Sequence, residues 1–279
     1  MEIDLENAKR PLRKLRKALK RLPPDPSVED VHSLRTQTRR LEAIVDALML
    51  EDKKKTRQLL KSVDPVRKAA GEVRDMDVLV GHVLALPRTH ENDDALIRLV
   101  EHLGEMRVEG VRELHHTVTA NKRNARRGLK SYSRMVQKRF PGKQQNSTAT
   151  VPGPAGLLEE LAQWPALDAG NIHEFRIKVK QLRYMLQLSR AADRKTVEAL
   201  GKVKDEVGDW HDWQELARIA HQVLSPEADQ GALKRIAEIG TRKFKQALKT
   251  ANEVRDRYLV DGRPSAHRNS RKRRAKARS

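Results

Sequence analysis

Leu12, Leu15, Leu19 and Leu22 recur every three or four residues, and Pro23-Pro24 ends the pattern. That spacing places one apolar stripe on a helix and predicts a first amphipathic helix. Ser27, with Asp30 three places on, has the form of an N-terminal cap; Leu34, Leu41, Val45 and Leu48 then follow within about a third of the helical circumference. A second helix is expected there. Further helices are expected over 53–86, with a break or bend near Pro65 and Gly71, and over 92–139, where Leu96, Leu99, Leu103 and Met106 share a stripe. No period-2 run predicts a strand, so the chain is expected to be all-α.

Residues 141–156, PGKQQNSTATVPGPAG, combine Pro, Gly and small polar side chains that do not sustain a helix. They read as a connector between a first half, 1–140, and a second, 157–262. In the second half helical patterns are expected over 157–164, 172–188, 196–220 with a break near Gly208, and 231–258. The tail 263–279 holds eight basic and no acidic residues, and it reads as a disordered end.

The two halves repeat one another. VHSLRTQTRRLEA from Val31 aligns with IHEFRIKVKQLRY from Ile172 at a constant offset of 141. His32 thereby matches His173, Arg35 matches Arg176 and Arg39 matches Lys180. Downstream, GEVRDMDVL from Gly71 aligns with GDWHDWQEL from Gly208 at an offset of 137, which sets Arg74 opposite His211 and Asp75 opposite Asp212. At about 100° per residue His32, Arg35 and Arg39 fall within about 60° of one another, while Leu34, Leu41 and Val45 point the other way. Each copy therefore carries a short basic stripe. Guanidinium forks suit phosphate oxygens and Lys adds a point charge, so two stripes facing one groove could follow successive phosphates. Asp75 and Asp212 read as carboxylates that orient neighbouring cations. The two histidines could equally serve as capping or core residues.

Composition sharpens the choice of ligand. Fifty-eight Lys and Arg against 38 Asp and Glu leave a net charge of +20, which an acidic partner would neutralise. Phe, Trp and Tyr number three each, few for a protein that stacks nucleic-acid bases. Phosphate without bases suits this composition better than RNA. The absence of Cys excludes disulfides, thiolate nucleophiles and cysteine-zinc sites and suits a reducing compartment. The charged N-terminal twenty residues lack the apolar core of a signal peptide and no run approaches a membrane span, so a soluble cytoplasmic protein is expected. His115-His116 lacks the further ligands of a metal site, and neither a phosphate-cradling glycine loop nor GxSxG is present. No cofactor and no catalysis are expected.

The four ordered blocks resemble the conserved histidine α-helical domain family, CHAD, over roughly residues 5–260. The resemblance implies two four-helix bundles related by a pseudo-twofold axis, with a basic groove that binds inorganic polyphosphate and targets proteins to polyphosphate granules. Carried across by motif, it implies ligand contacts at His32, Arg35, Arg39 and Arg40 in the first copy, and at His173, Arg176, Lys180 and Arg183 in the second. Arg67, Arg74, Lys204 and His211 would add to them from the companion helices. Gln181 stands where the first copy has Arg40, so the halves need not contribute equally. The alternative is sequence-independent nucleic-acid binding, to which the tail RNSRKRRAKARS would contribute backbone contacts.

Overall fold

The computed structural model describes residues 5–48, 53–90, 92–139, 154–189 and 193–260. The basic tail and nearly all of the expected connector lie outside them. The described residues form eight α-helices: α1 (Leu5–Arg21), α2 (Val28–Leu48), α3 (Lys53–Leu84), α4 (Asp93–Arg139), α5 (Ala155–Ala162), α6 (Ile172–Leu188), α7 (Arg194–Val223) and α8 (Gln230–Val254), with a π-helical turn at Arg255–Val260. No strand occurs among them. The chain is all-α.

Local chemistry explains most boundaries. α1 stops just before Pro23-Pro24, and Ser27 caps α2 reciprocally: its hydroxyl accepts from the Asp30 backbone N–H at 3.2 Å, while the Asp30 carboxylate accepts from the Ser27 backbone N–H at 3.2 Å. Asp193 caps α7, accepting from the Thr196 backbone N–H at 2.9 Å, so this helix begins two residues before the expected position. α5 begins at Ala155, inside the expected connector. The breaks expected near Pro65, Gly71 and Gly208 do not occur, because α3 and α7 run through them. Around Pro65 the fully buried Leu59, Val63 and Val66 tie the helix to its core, and this packing offsets the roughly 3 kcal/mol that an interior proline costs. Met106 leaves the expected stripe and is 37% exposed. Beside it Arg107 turns inward to the Asp77 carboxylate, 2.7 Å away and itself only 2% exposed, and its other arm donates to the Pro26 carbonyl at 3.2 Å.

Three apolar cores result. The first is built by α1, α2, the N-terminal half of α3 and the C-terminal half of α4, with Leu188 from the end of α6. Its counterpart in the second half is built by α5, α6, the N-terminal half of α7 and the C-terminal half of α8. The remaining halves of α3, α4, α7 and α8 meet in a central core that belongs to both repeats. In it Ala95, Leu96 and Leu99 have Ala232, Leu233 and Ile236 as counterparts, so the offset of 137 continues beyond the blocks in which the repeat is visible by motif. Fully burying a side chain such as Leu99 or Leu103 is worth roughly 1.5–3 kcal/mol, which makes this seam strong. Arg98 of α4 adds an ion pair at 2.6 Å to Asp229, at the start of α8. The arrangement fixes α2 and α3 against α6 and α7.

Candidate anion-binding site

α2 and α6 carry the two copies of the stripe and pack across the boundary between the halves. Their apolar faces are committed largely to separate cores, Val31, Leu34 and Leu41 to one and Ile172, Phe175, Val179 and Leu182 to the other, with only the last turn of α6 reaching the first through Leu188. The basic faces are thereby brought together.

Arg39 and Lys180, equivalent positions of the repeat, confront each other at this boundary. Both are half-buried, and neither makes a hydrogen bond or ion pair among the described residues. Burial, followed by repulsion from Arg39 and Arg176, pushes the Lys180 ammonium down to about 8. Arg39 is lowered by burial and by Arg35, and Arg176 by burial and by Arg39. Positive charge is concentrated here beyond what the surrounding carboxylates offset.

The flanking arginines are held in place. Arg35 reaches α3, its Nη2 2.9 Å from the Asp75 carboxylate, and its Nε is buried with no partner among the described residues. Arg176 reaches α7 and donates from Nε to the Lys204 carbonyl at 3.0 Å. The repeated glycines leave room for both. An ideal Cβ on Gly208 would stand 2.7 Å from Arg176 Nη2, and one on Gly71 would stand 3.8 Å from Arg35 Nε. Gly208→Ala should therefore push the Arg176 guanidinium aside and weaken anion binding several-fold. Replacing an interior glycine favours the helix by about 0.5–1 kcal/mol, so thermal stability should stay level or rise. Titration paired with thermal denaturation checks both signs, and unchanged binding would show that the position of the guanidinium is immaterial.

The imidazoles divide into two kinds. His32 is lowered by burial and by Arg74 and Arg35, and Lys204 of the other half also acts on it, so the two halves meet around this residue. His173 is lowered by burial and then by His211, whose ring centroid lies 5.2 Å away. His211 is raised by the Asp212 carboxylate, 3.8 Å from its Nδ1. An arriving phosphate would favour the charged form of all three.

Not every residue selected from sequence joins this group. Arg67 is engaged by Glu42 at 2.6 Å and by Asp64, whereas the corresponding positions of the second half hold Arg183 and Gly201. Arg183 lies over Gly201 and donates to the Val197 carbonyl at 3.3 Å. Arg40 lines a separate cleft of about 260 Å3 with Arg10, Tyr184 and Leu188. Conversely, sequence reading passed over Arg57 and Lys61. They line a groove of about 680 Å3 together with Arg39 and Lys180, and their i, i+4 spacing in the acid-free run 53–61 is the signal that could have selected them. No three His, Cys, Asp or Glu side chains converge as metal ligands among the described residues, and no helix among them is long and apolar enough to cross a membrane.

A protein-family model described as the CHAD domain matches residues 6–221. Among solved structures, the crystal structure of the CHAD domain from the plant Ricinus communis is similar with a TM-score of 0.61 at 20% identity, covering 91% of this chain and 89% of that chain. At that identity the likeness is one of fold. No curated protein matches the sequence.

Proposed function

The chain belongs to the CHAD domain family, and from that premise we propose that it binds inorganic polyphosphate, without catalysis, along the groove between α2 and α6. The unpaired, half-buried Arg39 and Lys180 carry this reading. Like charges held together out of water are unfavourable until an anion lies between them, and a phosphate chain supplies anionic oxygens on every unit. His32, Arg35 and Arg74 extend the contact in one half, with His173, Arg176, Lys204 and His211 in the other. Arg40, Arg67 and Arg183 border it.

Polyphosphate is favoured over nucleic acid because Tyr184 is the one aromatic side chain lining the groove among the described residues, and one ring gives no platform for successive bases. A protein that holds long chains in this way would gather where they accumulate, and association with polyphosphate granules follows. The tail 263–279 is assigned the weaker, sequence-independent attraction for nucleic acid.

Competition tests the assignment. Labelled long-chain polyphosphate, bound at physiological salt, should be displaced by unlabelled polyphosphate well before equal concentrations of RNA or DNA phosphate displace it. Removing 263–279 should weaken nucleic-acid binding more than polyphosphate binding. Equal displacement by all three polymers would overturn the proposal.

A further inference from the structure

Two clefts flank the N-terminal part of α3, and Lys61 lines both. One is the groove just described. The other, about 570 Å3, separates α3 from the C-terminal half of α4; Lys55, Lys61 and Arg127 line it with the amides of Asn121 and Asn124, and no carboxylate does. It opens beside a face of unusual charge. Residues 114–139 contain eight Lys and Arg and no Asp or Glu. Arg123, Arg127, Lys130, Arg134 and Lys138 fall within about 80° of one another and extend over about 22 Å of helix. All five are exposed and none enters an ion pair among the described residues. Like charges three and four residues apart disfavour a helix, and no acidic side chain on this half of α4 relieves them.

We propose that this surface is a second track for the same linear polyphosphate. A chain long enough to fill the groove leaves it past Arg57 and Lys61, crosses the α3–α4 cleft and lies along the α4 stripe. The proposal rests on the polyphosphate reading of the groove. Of the three carboxylates lining the groove, Glu42 and Asp64 are already engaged by Arg67, which leaves Asp46 against the four cations Arg39, Arg57, Lys61 and Lys180. Phosphate without bases fits the track, since Tyr132 is the only Phe, Trp or Tyr in 114–139 and is 2% exposed. A base would find no exposed Phe, Trp or Tyr face there to stack on.

The test uses the full chain with Arg123, Arg127, Lys130 and Arg134 changed to alanine. A control of equal charge changes Lys234, Arg235, Arg242 and Lys245, exposed on α8, to alanine. For short polyphosphates that only fill the groove, both variants should match the wild type. For long chains the α4 variant should lose at least about tenfold in affinity, with a salt dependence shallower by about 2–3 released counterions, and the control should lose far less. Equal losses in the two variants, or none in either, would overturn the track. Loss of RNA affinity with long-chain polyphosphate untouched would also overturn it and assign the face to nucleic acid. Failure of the groove reading looks different: the Arg39→Ala, Lys180→Ala variant would then bind every chain length as the wild type does.

Discussion

Changing Arg39 and Lys180 together to alanine should lower affinity for long-chain polyphosphate by at least about a hundredfold and leave the fold intact. Each charge-assisted contact is worth about 1.5–3 kcal/mol, and two neighbouring contacts lose somewhat less or more than their sum. The fold should survive because neither side chain bonds to another residue described here, and removing two repelling charges relieves the free protein. Calorimetric titration with circular dichroism reads both effects; wild-type affinity would remove the pair from the mechanism. A pH series sharpens the same test. Lys180 in the free fold gives up its proton near 8, well below the 10.5 of an ordinary lysine. Between those values the unfolded chain holds more protons than the folded one, so this group raises stability as pH climbs from about 8. Ligand binding runs the opposite way, weakening over the same range as the cation is lost, with proton uptake on binding near pH 8. The Lys180→Ala variant should lose that part of the pH dependence.

Pyrophosphate should bind at least about a hundredfold more weakly than chains of several tens of phosphates, the span of affinity that linked contacts typically add. A short anion reaches one stripe. A longer one, once held by Arg35 and Arg39, meets Arg176 and Lys180 as an intramolecular event, so affinity should climb steeply with length until both are engaged. A second, shallower rise should follow as chains become long enough to reach Arg127 and the α4 face. Dissociation constants across a ladder of defined lengths would show the two stages. Tight binding of pyrophosphate would point instead to a compact, nucleotide-like site.

Helix positions were legible in sequence where chemistry is local. Pro23-Pro24 and the Ser27–Asp30 pair set the end of α1 and the start of α2 through backbone constraints and short-range hydrogen bonds. Gly208 was misread for the opposite reason. Its role is to let a guanidinium from α6 lie against α7, and such a tertiary contact leaves no periodic trace, so a glycine within a helix looks like a break. The repeated stripe was legible because it recurs with its order intact. That Arg39 and Lys180 confront one another was not, since the relative placement of α2 and α6 depends on a core assembled from α3, α4, α7 and α8. Nor did the motif show that Glu42 engages Arg67, because the two lie on different helices, whereas the Asp64–Arg67 pair is an i, i+3 contact within α3 that spacing alone could have shown.

That shared core also bears on how the molecule comes apart. Severed between α4 and α5, the first repeat would lose the cover that α7 and α8 give Leu79, Leu96, Leu99 and Leu103, and the second would lose the cover that α3 and α4 give Leu216, Ile219 and Ile236. Neither piece buries that surface alone, so the two halves should melt as one cooperative unit despite the repeat in their sequences, with a single transition in thermal denaturation. Anything that tightens the grip of one half on a phosphate chain therefore protects the other half against unfolding as well.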